Sequence, residues 1–251
     1  MVAVDVTAAR PEIIAAFAAF QQHVGATGEF LTAQQRVAIA TECRRVFHDA
    51  AFDPEAPFDS ASVVAGPGCE CLPHALVRLV HQICAKPGEI DQAFYDSVVA
   101  DVEPLDYVEC VAVVTQTIAQ DTWHLALGLP PLPLPPLSSA SAAPAARVVS
   151  NPKLRAHIAM VPTVAPEDAD GALAELYRDE FYSQGAGPAH VQQALSALPT
   201  EMMQFAKIFN ALYIPQAKVS ADPTWHWPGS IDRQQIELIA TRVSNNNQCF
   251  Y

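Results

Sequence analysis

Charge is scarce in this chain. Only 16% of its 251 residues are Asp, Glu, Lys or Arg; the 14 basic ones form no cluster, and the 27 acidic ones bring the formal net charge to −13. Phosphate backbones and anionic membrane surfaces need a concentrated positive patch, so no nucleic-acid or membrane partner is expected. Long apolar runs are lacking too: none reaches the roughly 18–20 residues that cross a bilayer. The start, Met1 to Asp5, has no basic region ahead of an apolar one, so no cleaved secretion signal is expected. The six cysteines (Cys43, Cys69, Cys71, Cys84, Cys110 and Cys249) are too few for a disulfide scaffold, and a cytoplasmic setting with reduced thiols follows. The chain has neither a glycine-rich phosphate loop nor a Gly-x-Ser-x-Gly elbow. No segment alternates with period two long enough to make a strand.

What is abundant is alanine and helical periodicity, in a chain that is 51% hydrophobic. The fold class is therefore all-α. Pro11 opens a first helix carrying Ile13, Ile14, Phe17 and Phe20, and Thr32 caps a second that runs from Ala33 to about Phe47. Residues 52–71 read as an irregular loop. A third helix starts at Pro73, with Leu76, Leu79, Val80 and Ile83 on one face, and stops at Lys86-Pro87-Gly88. The longest, 105–127, is apolar over most of its circumference and should be buried, with Gly128 ending it. Its polar stripe Asp106, Glu109, Gln116 and Gln120 reads as a wetter face, and Asp121 and His124 as a surface pair. Further helices are expected over Asp168 to about Tyr182, Val191 to about Tyr213, and from a Ser230 cap to about Ser244.

Between them, Leu129 to Pro136 is a polyproline II stretch followed by small residues, which divides the chain into a lobe over 1–128, a linker over 129–152 acting as a spacer, and a lobe over 153–251. An internal echo supports two related lobes. Residues 33–41 align with 233–241 at an offset of 200, matching at Gln34/Gln234, Gln35/Gln235, Ile39/Ile239, Ala40/Ala240 and Thr41/Thr241. Val37 then stands where Glu237 stands, and Asp49 where Cys249 stands.

Glu237 and Cys249 lie twelve positions apart at the end of the sequence. On one straight helix they would be separated by about 18 Å and could not cooperate. Asn245-Asn246-Asn247 are poor helix-interior residues, so a break there is expected, with Asn247 capping a new turn that carries Cys249. A helix N-terminus favours thiolate. Glu237, beside the stripe Ile236, Ile239, Ala240 and Val243, is expected to be half-buried and able to exchange protons.

Glu237, eleven residues and Cys249 resemble the first half of the redox motif of the alkylhydroperoxidase D-like, or carboxymuconolactone decarboxylase-like, superfamily. The stretches Met160-Val-Pro-Thr163, Ala194-Leu-Ser196 and 233–251 look like the second half of its two-lobed members. The resemblance implies tandem helical lobes, the second incomplete, and thiol-dependent reduction of a hydroperoxide with a dithiol electron donor. It implies no metal or organic cofactor, and a homo-oligomer. Glu237 matches the relay glutamate and Cys249 the resolving cysteine, while the attacking cysteine and histidine would lie past Tyr251. This chain by itself is expected to be inactive in turnover. Two other readings stand beside this one: a non-catalytic helical module that oligomerises or binds through its apolar faces, and a decarboxylase-like or dehalogenase-like enzyme on the same scaffold.

Elsewhere, Cys69, Cys71 and His74 are spaced as possible zinc ligands, but Cys-x-Cys in a loop with Gly66-Pro67-Gly68 fits metal poorly. His81 reads as a packed helix-face residue, Cys84 and Cys110 as small core residues, and Trp123, Trp225 and Trp227 as packing anchors.

Overall fold

A computed structural model describes residues 10–49, 57–136, 144, 154, 159–181, 190–215 and 229–246. Among the described residues there are nine α-helices and no strand, only an isolated bridge between Leu154 and Val164. No described helix is long and apolar enough to cross a membrane.

The first five helices are α1 (Pro11–Val24), α2 (Ala33–Phe47), α3 (His74–Ala85), α4 (Gln92–Val99) and α5 (Pro104–Ala126). Local chemistry sets their ends. Thr32 Oγ1 accepts from Gln35 N at 3.2 Å while Gln35 Oε1 accepts from Thr32 N at 3.0 Å, a reciprocal cap that starts α2. Gly128 takes φ +69°, so Gly128 N reaches Leu125 O and Leu129 N reaches His124 O, satisfying the last carbonyls of α5. The helix α4 has no counterpart in the sequence reading. It is eight residues long, capped by Asp91 Oδ1 accepting from Phe94 N at 2.8 Å, and it stacks Tyr95 edge-on to Tyr107 of α5.

The later helices are α6 (Gly171–Leu176), α7 (His190–Gln193), α8 (Pro199–Leu212) and α9 (Arg233–Asn246). Two expected long helices are broken. Instead of one helix over 168–182, a 3-10 turn at Pro166–Asp168 precedes α6 and a π-turn, Tyr177–Phe181, follows it. Gly171 sits at φ +50°, which interrupts regular helix there. Likewise 191–213 divides at Leu198-Pro199: the residue before a proline is pushed out of the helical region, and Leu198 has φ −128° and ψ 80°. In α9 the cap is Asp232, not Ser230, through Asp232 Oδ1 accepting from Gln235 N at 2.8 Å. That helix includes Asn245 and Asn246, and Asn247, the expected cap of a following turn, lies outside the described residues.

Two apolar clusters organise the packing. One joins α1 through α5 around Phe17, Phe20, Ile39, Leu76, Leu79 and Val113, and Ile208 and Ala211 of α8 belong to it. The other gathers Leu173, Leu176, Tyr177, Leu198 and Met202 against Phe30, Leu105, Val108 and Ala112. Helix α5 thus feeds both clusters, and as expected it is buried nearly all round. In the described part of the proline stretch, Leu132 and Leu134 pack on the first cluster, and Leu132 O accepts from Arg44 Nη1 at 2.6 Å. A polyproline backbone makes no internal hydrogen bonds, so its carbonyls stay open to such a donor.

The echo between α2 and α9 has local substance. Both begin with a reciprocal cap that uses the matched glutamine (Gln35, Gln235). Both also place the matched threonine hydroxyl on the carbonyl four residues back, Thr41 on Val37 and Thr241 on Glu237, each at 2.8 Å.

Candidate functional site

Three places gather chemistry, and the first surrounds Glu237. Its side chain is 49% exposed, so the carboxylate is half-buried, as expected. Glu237 Oε2 accepts from Tyr213 Oη at 2.6 Å, and Glu237 Oε1 lies 3.9 Å from Arg233 Nε. Burial and this bond push the Tyr213 phenol up to about 12, so it remains a donor at neutral pH. Next to this pair, Phe209, Leu212 and Tyr213 at the end of α8 face Ile231, Ile236, Ile239, Ala240 and Val243 across a groove of about 510 Å³. Ile239 and Val243 are 55% and 52% exposed. Cys249, Asn247, Trp225 and Trp227 lie outside the described residues.

The second place is a buried polar seam between α1, α2, α5 and α8. Arg36 Nη1 donates to Glu109 Oε1 and, at 2.5 Å, to Glu201 Oε1. His23 Nε2 lies 2.8 Å from the same Glu201 oxygen, and Glu109 Oε2 accepts from Phe30 N at 2.8 Å and Leu31 N at 3.2 Å. Arg36 and Glu109 are completely buried. Burial raises Glu109 above the usual carboxylate range despite the charge of Arg36. For Glu201, burial acts the same way but is outweighed by the His23 bond and Arg36, and its carboxyl is held low. The seam thus carries a guanidinium locked between two carboxylates, and it fastens α8 to α1, α2 and α5.

The expected wet face of α5 is therefore wrong: Asp106, Glu109, Gln116 and Gln120 are all buried. So is Asp121, which is no surface residue and does not pair with His124. Instead Arg44 grips both its oxygens at 2.8 and 2.7 Å, His48 Nε2 lies 3.0 Å away, and His124 Nδ1 turns to Gln120 O. Periodicity equates polar with solvated, but Arg36 and Arg44, about two turns apart on α2, supply the partners that let Glu109 and Asp121 of α5 enter the core.

Gly28 shows how tightly the seam is set. A Cβ there would stand 1.7 Å from Glu109 Oε1 and 2.5 Å from Arg36 Nη1. Pinned by two backbone N–H groups and the guanidinium, Glu109 cannot swing aside. Gly28→Ala is expected to cost about 2 kcal/mol of stability, read as a lowered urea midpoint with unchanged slope.

The third place is the contact of α2 with α3. Glu42 is buried, and its carboxylate accepts from Arg45 Nη2 at 2.6 Å, Arg45 Nε at 3.0 Å and Gly66 N at 3.0 Å, with His81 Nε2 at 2.7 Å. Burial alone would raise it, but these bonds win and hold it at about 2. His81 is pushed down by burial in spite of Glu42, which describes a neutral imidazole donating to an anion. His81 is thus more than a packed face residue. Cys69 is buried beside Glu42 with its thiol pushed up to about 12 by burial and that charge, and it donates to Ala38 O at 3.4 Å. His74 bonds Val63 O and Cys71 faces Gln34 O, so Cys69, Cys71 and His74 do not converge as zinc ligands. No group of three His, Cys, Asp or Glu among the described residues is arranged to hold a metal ion. At the same α2–α3 contact, Cys43 and Cys84 bring their sulfurs within 3.8 Å. Cys110 is a fully buried core residue, as expected; Cys84 is only partly buried.

Sequence reading alone did not assemble Arg36, Glu109 and Glu201, nor Glu42 with His81. The usable signal was Arg36, Glu42, Arg44 and Arg45 crowded onto α2 in a chain with so little charge, opposite an apolar helix interrupted by Asp106, Glu109 and Asp121. Comparison with known proteins gives no matching family model, no matching curated protein and no matching solved structure.

Proposed function

We propose that this chain is a helical scaffold of the alkylhydroperoxidase D-like kind that works as a self-associating binding module, with the groove of α8 and α9 as its contact surface. The observation that carries this reading is the echo. Positions 36, 39, 40 and 43 of α2 are fully buried, and their counterparts 200 residues on, Ile236, Ile239, Ala240 and Val243, line the α9 side of the open groove. The same face that α2 seals inside the core is left partly or largely exposed on α9, and contiguous exposed apolar surface of this kind marks an interaction site. A twofold arrangement suits it, since an isologous contact would set the grooves of two copies face to face and cover the exposed Ile239 and Val243 of both.

Hydroperoxide reduction with a dithiol donor remains the chemistry that the resemblance implies. What favours the binding role is that Glu237 sits on the rim of the groove, held by Tyr213 and half exposed, instead of in a desolvated pocket. The test is Ile239→Glu. In sedimentation equilibrium it should weaken self-association at least about tenfold, the loss of one well-packed contact, while the thermal midpoint stays within the small range typical of surface changes. An unaltered association constant would refute the reading. A large drop in thermal midpoint would also refute it, by showing that the stripe belongs to the core of a single chain.

A further inference from the structure

The sulfurs of Cys43 on α2 and Cys84 on α3 lie 3.8 Å apart, and Cys84 Sγ also lies 3.8 Å from Cys43 O. A disulfide needs sulfurs at about 2.05 Å and Cβ atoms about 3.8 Å apart. The two sulfurs are already in contact and would have to approach by about 1.8 Å to bond. The two thiols differ in access. Cys43 is fully buried, whereas Cys84 is partly exposed. His81 lies three residues before Cys84, on the same side of α3, and its bond to Glu42 spans the same α2–α3 contact.

From this geometry we infer that Cys84 and Cys43 are a modification site, an oxidisable dithiol that closes into a disulfide between α2 and α3 when a small hydroperoxide reaches Cys84. In the first step the Cys84 sulfur attacks one oxygen of hydrogen peroxide: the O–O bond breaks, an S–O bond forms, and the thiol proton leaves with the departing hydroxide as water. In the second step the Cys43 thiol displaces that hydroxyl from the Cys84 sulfenic acid, forming the S–S bond and releasing a second water. Two thiols are oxidised by two electrons and one peroxide is reduced to two waters. An added dithiol such as dithiothreitol reverses the modification by exchange. Cys43 is fully shielded, so only Cys84 meets the oxidant, and its neighbour captures the sulfenic acid before a second peroxide does. This inference is independent of the proposed association, which involves neither helix.

The experiment treats the whole reduced protein with equimolar hydrogen peroxide, blocks remaining thiols with N-ethylmaleimide, and maps peptides without reduction. The expected product is a peptide pair joined through Cys43 and Cys84, lost on dithiothreitol treatment. Cys84→Ser should abolish it. Cys43→Ala should leave Cys84 as a sulfenic acid trapped by dimedone, and its helical circular dichroism reports whether that variant is folded. The mapping of the unaltered protein decides the matter even where a variant fails to fold. Recovery of Cys43 and Cys84 as free thiols, or a dominant bridge between other cysteines, overturns the inference.

Discussion

Replacing Arg36 by methionine is expected to remove about 3–5 kcal/mol of stability, the range for breaking a buried ion pair by deleting one partner. Methionine keeps much of the apolar stem and fills similar space, so the loss is electrostatic. Glu109 and Glu201 are left together in the core, and neither can reach water, being 0% and 1% exposed. A domain of this size has a net stability of roughly 5–15 kcal/mol, so the variant is expected to melt far below the parent or to be partly unfolded at room temperature. The seam joins residues 165 positions apart, Arg36 and Glu201, and its failure should release α8 first. Adding Glu109→Gln and Glu201→Gln to the methionine variant should recover part of the loss, because neutral amides cost less to bury. Urea unfolding followed by circular dichroism measures both. A cost of less than 1 kcal/mol for Arg36→Met alone would mean that the three side chains are solvated.

The second large effect is expected at Glu42. Its carboxyl is held at about 2 against an ordinary 4.5. A depressed pKa in the folded state contributes stability that is fully present above the unfolded value and is lost as pH falls through the folded one. The window is therefore about pH 4.5 down to about 2. The difference corresponds to something on the order of 3 kcal/mol. Glu42→Gln should destabilise the protein by about this amount at pH 7, and by progressively less as the pH falls toward 2, where the native carboxylate is itself protonated. Urea midpoints of parent and variant taken across that range should converge at the acid end. Parallel curves, with the same gap at pH 7 and pH 3, would show that Glu42 acts through packing and not through its charge.

The sequence made some of this legible, and its failures have physical causes. Thr32 and Gln35 announce the start of α2, Gly128 the end of α5, and Lys86-Pro87-Gly88 the end of α3, because caps and breakers act through neighbours a few residues away. The break at Leu198-Pro199 was equally local and was masked by continuous helical periodicity on both sides. Burial of Glu109, Asp121 and Glu42 was not legible, because it depends on Arg36, Arg44 and Arg45 meeting them across helix contacts far apart in sequence. A half-apolar helix predicts a buried stripe only when something packs on it: the stripe of α2 is sealed against α3 and α5, while Ile239 and Val243 of α9 stay exposed. The Cys43–Cys84 approach has no sequence signature at all: the residues are 41 apart and meet through helix packing.

If the groove of α8 and α9 is a contact surface between copies, the mass of the protein in solution must depend on concentration. Light scattering behind size-exclusion chromatography, over a hundredfold range of loading concentration, should show the mass climbing from the 27.0 kDa of one chain toward twice that value. A mass that stays at 27.0 kDa across the whole range would contradict self-association through the exposed face of α9.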